Sequence, residues 1–376
     1  VTAPHRMPLN LDQLLHAAAQ PARHVRVDQP VWIFGAGNFG QDLCRAMQKN
    51  GVSVAGFIET TPRANTALNL PIKSWSQLTA QDRQAQLVLG ILNRATAFDQ
   101  LIELATAVGF DAVVMPWDSY DQFGADLGWR FWLSTRAFLH ANLPRMRDVL
   151  ARLGDDNSRD VLLRLMAFRL GVDLDFASVQ SAEPQYFNEL TLPALRGRAI
   201  TYVDCGAYNG DTYIDLARQD GVQCHQALLL EPDPANYAAL VRNMAEQYPE
   251  AVCLPLAAAE QYTILSFNSG QGEGGSISAT GDQHIAATAL DQLLPQGHVD
   301  LVKLDVEGAE AQVLRGARRL IARCRPVLAL SLYHNPQDIW ELPELLFELC
   351  DEYDFYIRQH FFNSFDCVFY AIPSKR

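Results

Sequence analysis

Three features of this 376-residue chain predict an α/β fold. Strand-like runs end in glycine turns that open helices at two places, residues 31–40 and 202–212. After each turn, apolar runs of strand length alternate with segments of helical periodicity, the pattern of a parallel sheet. The run Leu228-Leu229-Leu230-Glu231 then ends in a carboxylate, where a nucleoside-binding unit accepts hydrogen bonds from ribose hydroxyls. The architecture expected is a seven-stranded Rossmann-like C-terminal domain. A smaller N-terminal α/β (half-Rossmann) domain and a helical connector precede it.

Taken in order, residues 1–30 read as a polar tether with a short helix over 11–19. The first α/β domain is expected over 31–120. It opens with Val31-Trp32-Ile33-Phe34-Gly35-Ala36-Gly37-Asn38-Phe39-Gly40. Gly35, Gly37 and Gly40 match the dinucleotide fingerprint, and Glu59, ending the strand at 54–58, sits near the ribose position. Runs at 87–92 and 112–115 add two strands, with a helix over 95–108. That makes about four strands, against about six in a full dinucleotide fold. Half a fold suggests a mononucleotide site, a nucleotide-sugar site or a scaffold.

Residues 121–190 carry apolar positions at helical spacing, among them Phe131, Phe138, Val149, Leu153, Val161, Leu165 and Phe168. The stretch Gly154-Asp155-Asp156-Asn157 breaks the pattern with residues that cap a following helix. From 191 to 376 a second α/β domain is expected, with strands at 200–204, 227–231, 252–256, 301–305, 327–332, 355–358 and 367–371. An insertion at 263–280 reads as a hairpin with a glycine-rich tip, Gly270-Gln271-Gly272-Glu273-Gly274-Gly275, a candidate lid or acceptor-recognition element.

The formal net charge of −13 argues against a sequence-independent grip on nucleic acid. Arg315, Arg318, Arg319, Arg323 and Arg325 read as the solvated face of one helix. The seven cysteines are scattered, and none has the spacing of a zinc or redox pair. A reducing, cytoplasmic setting is expected, with neither a leader pattern nor a bilayer-length apolar run. Oligomeric state is not legible.

The chemistry gathers in the C-terminal half. Leu301-Val302-Lys303-Leu304-Asp305-Val306-Glu307-Gly308-Ala309-Glu310 sets a lysine inside an apolar strand and acids at its carboxyl end. His334 follows the next strand, and ligands of open parallel sheets bind outside such ends. Together with Val203-Asp204-Cys205-Gly206-Ala207-Tyr208-Asn209-Gly210-Asp211-Thr212, Leu230-Glu231-Pro232-Asp233, Ala289-Leu290-Asp291 and Tyr333-His334, this region resembles the FkbM family of S-adenosylmethionine-dependent methyltransferases. The resemblance covers roughly the last half of the chain.

It implies methyl transfer from S-adenosylmethionine, usually to an oxygen on a sugar or natural product. The cofactor-binding set expected is Asp204, Gly206, Ala207, Tyr208, Gly210, Asp211, Glu231, Pro232, Asp305 and Glu307. Gly206, Ala207 and Gly210 would let the backbone approach the donor's amino-acid tail. Asp204 would bond turn amides or the ammonium group, and Glu231 the ribose. His334 is the expected base, since an ordinary imidazole pKa of about 6.5 leaves it largely neutral near pH 7. Asp305 is the competing base. Lys303 would lower the pKa of a carboxylate or of the acceptor hydroxyl, or pair with Glu307 or Glu310. No metal is expected. His360 reads as a surface residue. The alternatives are an NAD(P)- or nucleotide-sugar-binding protein working through the N-terminal glycine motif, and a non-enzymatic binding module.

Overall fold

The computed structural model describes residues 9–268, 276–277 and 283–374. The fold divides into two compact units. One is built from residues up to Asp148 with Asp160–Gln180 and Phe361–Phe365, the other from Val149–Arg159, Ser181–His360 and Asp366 onward.

The first unit holds a sheet of β1 (Val31–Phe34), β2 (Val54–Ile58), β3 (Thr66–Ala67), β4 (Leu70–Lys73), β5 (Gln86–Leu89) and β6 (Val113–Val114). Their spatial order is β3-β4-β2-β1-β5-β6, parallel throughout except for β3 against β4. All four residues of β1 are buried, as the continuous apolar run Val31-Trp32-Ile33-Phe34 requires of a central strand covered on both faces. Six strands therefore replace the four expected. The missed pair is a hairpin closed by Leu68 and Asn69, both left-handed at φ +52° and +61°. That mirror-image turn is usually signalled by Asn-Gly or Asp-Gly. Here a leucine fills it and Pro71 interrupts the second strand, so neither turn chemistry nor alternation marks it.

Helices α1 (Leu11–Ala18), α2 (Asn38–Lys49), α3 (Phe98–Ala107) and α4 (Pro116–Leu127) belong to this unit. Its core packs Ile33, Leu43, Met47, Phe57, Val88 and Phe123 together. The connecting region is helical: α5 (Arg136–Asn142), α6 (Met146–Arg152), α7 (Asp156–Arg169) and α8 (Leu192–Leu195). Asp155 caps α7 by accepting the Ser158 amide at 2.7 Å.

The second unit is a seven-stranded sheet of β7 (Ala199–Cys205), β8 (Gln223–Leu230), β9 (Ala251–Leu254), β14 (Leu301–Leu304), β15 (Val327–Ser331), β16 (Tyr353–Gln359) and β17 (Cys367–Pro373). The order is β16-β17-β15-β14-β7-β8-β9, and only β17 runs antiparallel to its neighbours. From β7 the chain moves outward through β8 and β9, then returns to lay β14 on the other side. The order thus reverses between β7 and β14, which places a ligand crevice outside their carboxyl ends.

Helices α9 (Asp211–Ala217), α10 (Pro234–Met244), α11 (Leu290–Leu293), α12 (Glu310–Gly316), α13 (Arg318–Cys324) and α14 (Asp338–Leu349) complete the unit. The arginine-bearing stretch is two helices, not one. A side chain at Gly316 would lie 2.2 Å from the Ala259 carbonyl, so the chain turns where it packs closely. Arg315, Arg318, Arg319 and Arg323 are exposed, and Arg325 is half-buried in a left-handed cap at φ +49°. The insertion forms a small sheet of β10 (Ala257–Ala258), β11 (Thr263–Asn268), β12 (Ser276–Ile277) and β13 (Gln283–Thr288), with β11 antiparallel to β12 and β13. The glycine-rich tip at 270–275 lies outside the described residues. Among the described residues, no helix is long and apolar enough to cross a membrane.

Candidate active site

The glycine turn after β7 is stitched to the tips of two neighbouring strands. The Gly206 and Ala207 amides both donate to the Leu230 carbonyl, at 3.0 and 2.9 Å. Gly206 has φ +90°, and a Cβ there would sit 1.9 Å from the Asp305 carbonyl oxygen. No side chain is compatible with that approach. Gly210 is left-handed too and closes against Leu240 and Met244. Ala207 is buried, Tyr208 and Pro232 are half-buried, and Asp211 lies exposed in the first turn of α9.

Glu231, one residue beyond β8, is the latch of this turn. Its Oε2 accepts the Tyr208 amide and its Oε1 the Asp233 amide, each at 2.9 Å. Burial lifts its pKa from 4.5 to about 7, although both amides pull the other way. Asp233 in turn caps α10 by accepting the Ala235 and Asn236 amides.

Asp204 and Lys303 lie opposite each other in the β7–β14 register, so their side chains meet on one face of the sheet. Lys303 Nζ donates to Asp204 Oδ1 at 2.9 Å and to the Gly206 carbonyl at 2.7 Å. The Tyr202 hydroxyl occupies Asp204 Oδ2 at 2.8 Å. The lysine thus pairs with Asp204 across the strands, not with Glu307 or Glu310. Burial alone would lower the Lys303 pKa. The Asp204 and Asp305 charges outweigh it and hold the ammonium above its ordinary value.

His334 is fully enclosed, with a carboxylate on each side of its ring. Nδ1 lies 2.8 Å from Glu310 Oε1, while Nε2 lies 3.4 Å from Asp305 Oδ1 and 3.7 Å from Glu307 Oε2. Glu310 Oε1 also accepts the Val306 amide at 2.9 Å, fixing the loop between β14 and α12. Burial opposes charge on the imidazole, but Glu310, Glu307 and Asp305 together raise its pKa well above the usual value. Burial would likewise raise the Asp305 pKa, yet Lys303 and His334 hold it below the ordinary range. Glu307 goes the other way, up to about 7, because burial dominates there.

The side chains of Asp305 and Glu307 remain 24% and 19% exposed, against 0% for His334. The carboxylates therefore form the accessible rim and the imidazole lies behind it. Asp305, Glu310 and His334 bring one candidate ligand atom each within 4.8 Å. The two ring nitrogens face different acids, an arrangement of a buried charge cluster more than of donors converging on one point.

One participant escaped the sequence. Tyr186, in the segment before α8, donates its hydroxyl to Asp305 Oδ2 at 3.2 Å, and its ring centroid lies 5.4 Å from Lys303 Nζ. No motif or periodicity surrounds it. His360 also departs from expectation: it is buried, not on the surface. Its Nε2 lies 2.8 Å from the Tyr370 hydroxyl, and burial takes its pKa down to about 4. The chain turns back after β16, with the His360 amide donating to the Asp366 carbonyl at 3.2 Å, and this folds the imidazole inward.

In the N-terminal unit, Gly35 has φ +109° and donates its amide to the Ile58 carbonyl at 2.9 Å. A Cβ on Gly40 would lie 2.0 Å from the Gly35 carbonyl oxygen, whereas one on Gly37, at the N-cap of α2, would meet nothing within 4 Å. Glu59 is half-buried at the tip of β2, and its amide donates to the Lys73 carbonyl at 3.0 Å.

The family model of the methyltransferase FkbM domain matches residues 204–363. Among solved structures, the chain is similar to methyltransferase FkbM from Methylobacillus flagellatus KT at 20% identity, with a TM-score of 0.76 over 97% of this chain and 100% of that one. It also aligns with a precorrin-6y C5,15-methyltransferase from Geobacter metallireducens at 14% identity, covering 54% of this chain and 96% of that one, at a TM-score of only 0.32. No curated protein matches the sequence. The C-terminal unit thus has the FkbM-type methyltransferase fold, preceded by a distinct N-terminal α/β unit, and its methyl donor is S-adenosylmethionine.

Proposed function

We propose that the C-terminal unit transfers the methyl group of S-adenosylmethionine to a hydroxyl of a sugar, glycan or natural-product small molecule. The reading rests on one observation. The crevice at the β7–β14 reversal gathers the Gly206–Gly210 turn, Glu231, Asp305 and the His334 cluster at the same end of the sheet. The donor set suits the cofactor: Glu231 for ribose hydroxyls, and an acidic rim of Asp305 and Glu307 for a cation. When bound, S-adenosylmethionine supplies an electrophilic methyl group on a sulfonium.

The chain's own task is positioning, because in-line transfer needs the acceptor oxygen aligned and water excluded. The latched turn sets the depth of the cofactor site. The Asp204–Lys303 pair is its rigid floor. Asp305, kept ionised by Lys303, is the group that meets the acceptor hydroxyl and takes its proton. His334, enclosed behind Asp305 and Glu307, holds the rim through charge and keeps their repulsion in check.

The test is methyl transfer from S-adenosylmethionine labelled in its methyl group to a panel of sugars, oligosaccharides and hydroxylated small molecules. Calorimetry with S-adenosylhomocysteine runs alongside. Label appearing in an acid- and base-stable ether supports the reading. Labelled amine or carboxylate ester with no ether replaces the acceptor class. Failure of S-adenosylhomocysteine to bind removes the roles given to Glu231 and the turn.

A further inference from the structure

We propose that Tyr186, which lies ahead of the matched residues 204–363, is a positioning residue for the transfer: its hydroxyl holds the Asp305 carboxylate at the rim, with Oδ1 turned to His334, in the orientation that meets the acceptor. The inference rests on the reading above, in which Asp305 receives the acceptor hydroxyl.

The two oxygens of Asp305 are treated differently. Oδ2 accepts the Tyr186 hydroxyl at 3.2 Å, while Oδ1 is buried and faces His334 Nε2 at 3.4 Å. A buried carboxylate oxygen that faces a charge without a hydrogen bond keeps its place only where the surroundings hold the group. Here the holding is dense. Gln185 Nε2 donates to the Tyr186 hydroxyl at 3.0 Å, which directs the phenolic proton toward Asp305. The Tyr186 ring covers Lys303, whose ammonium is committed to Asp204 and the Gly206 carbonyl.

The segment carrying Tyr186 is itself tied to the sheet. The Tyr370 hydroxyl donates to the Gln185 carbonyl, Asn188 Nδ2 donates to the Tyr370 hydroxyl at 3.1 Å, and Thr191 Oγ1 donates to the Tyr186 carbonyl at 2.8 Å. Tyr370 sits on β17, so the strand at the far side of β15 anchors the tyrosine that orients Asp305 at the tip of β14.

The variants Tyr186→Phe and Tyr186→Leu separate hydroxyl from ring. The first readout needs no acceptor. In full-length protein carrying 13C at aspartate Cγ, the Asp305 signal is assigned by its loss in Asp305→Asn and followed against pH. The groups facing Asp305 are Lys303 on β14, Ser331 on β15, Tyr333 and His334 after β15, Glu307 on its own loop and Tyr186. Tyr186→Phe changes only the last of them.

Loss of the donated hydrogen bond is expected to raise the Asp305 midpoint by about one unit, with S-adenosylhomocysteine affinity unchanged within about twofold. An unmoved midpoint overturns the proposal, whatever becomes of the acceptor class. With an acceptor in hand, Tyr186→Phe is expected to lower kcat by about 10- to 100-fold, the worth of one hydrogen bond to a charged group, and to leave the KM for S-adenosylmethionine in place. Tyr186→Leu should lose more, because Lys303 is uncovered as well. Equal kcat in Phe variant and parent overturns the proposal. Absence of methyl transfer to every hydroxyl acceptor, with the midpoint shifted as expected, removes the acceptor reading and leaves the Tyr186–Asp305 link standing.

Discussion

Both units of the chain present a strand, a glycine turn and a helix, and they differ in what surrounds the turn. In the N-terminal unit the tight glycines serve the chain's own packing, as the 2.0 Å approach at Gly40 makes plain. Among the described residues, no hydrogen bond joins the Glu59 carboxylate to that turn, and the next strand tip offers Gly90. In the C-terminal unit the acid at the matching position, Glu231, grips the turn through the Tyr208 amide. The next tip offers Asp305, backed by Lys303 and His334. A glycine fingerprint therefore specifies how a helix packs on a strand. It becomes a reaction site only where the adjacent strand tips add charge.

The largest effect should come from removing that charge. Asp305→Asn keeps size and burial, so S-adenosylhomocysteine affinity by calorimetry should stay within about threefold. Loss of general-base assistance should lower kcat by about 10²- to 10⁴-fold. A parent-like kcat would mean that the C-terminal tips add no more chemistry than the N-terminal ones.

Next in size is the floor of the site. Lys303→Met leaves the wholly buried Asp204 beside Tyr202 without its cation, and such losses destabilise by about 3–5 kcal/mol. Urea unfolding should register it. Asp204→Leu combined with Lys303→Met should recover much of the loss, since an apolar pair often replaces a buried ion pair without penalty. A double variant no better than the single one would show that the pair supports the turn through the Lys303 bond to the Gly206 carbonyl.

Much of this was legible in the sequence, for physical reasons. Seven strands of the C-terminal sheet were marked by apolar runs, most plainly at its centre, where β7, β14 and β15 are parallel and buried and so cannot alternate with polar residues. The acids were marked because they end those runs. What stayed hidden depends on neighbours distant in sequence. The Lys303–Asp204 pair is a matter of strand register over 99 residues of separation. The burial of His360 follows from a turn that brings Tyr370 beside it. Tyr186 reaches Asp305 from 119 residues upstream, in a segment with neither periodicity nor motif. The β3–β4 hairpin was hidden because its turn residues, Leu68 and Asn69, lack the usual chemistry.

A smaller effect sharpens the role of Glu231. Its folded-state pKa, about 7 against an ordinary 4.5, means the folded protein keeps a proton there that the unfolded chain releases. Its contribution to stability is therefore present below about pH 4.5 and lost as pH rises through about 7. Ribose binding has the opposite sign, because donated hydroxyls favour the carboxylate. S-adenosylhomocysteine affinity should rise between pH 6 and pH 8. Glu231→Gln should weaken it by about 1–3 kcal/mol at pH 8 and flatten this part of the pH dependence. Equal slopes in parent and variant would place the titrating group elsewhere in the cluster.

The smallest effect is expected at Gly37, and it bears most directly on the comparison. Its backbone is extended rather than left-handed, and a Cβ there meets nothing within 4 Å. Gly37→Ala should change stability by no more than about 0.5 kcal/mol, whereas Gly40→Ala should destabilise by several kcal/mol because backbone, not a movable side chain, stands in the way. Space left open at that one position is what a bound phosphate would need, so the same variant tests whether the first turn is only a packing device. Titration of the parent with NADH, followed by nucleotide fluorescence, should show no saturable binding if packing is the whole explanation. Saturable binding that Gly37→Ala abolishes, with its unfolding midpoint unchanged, would make the N-terminal turn a second nucleotide site although Glu59 does not grip the turn and the next tip offers only Gly90, and would break the rule drawn from the two turns.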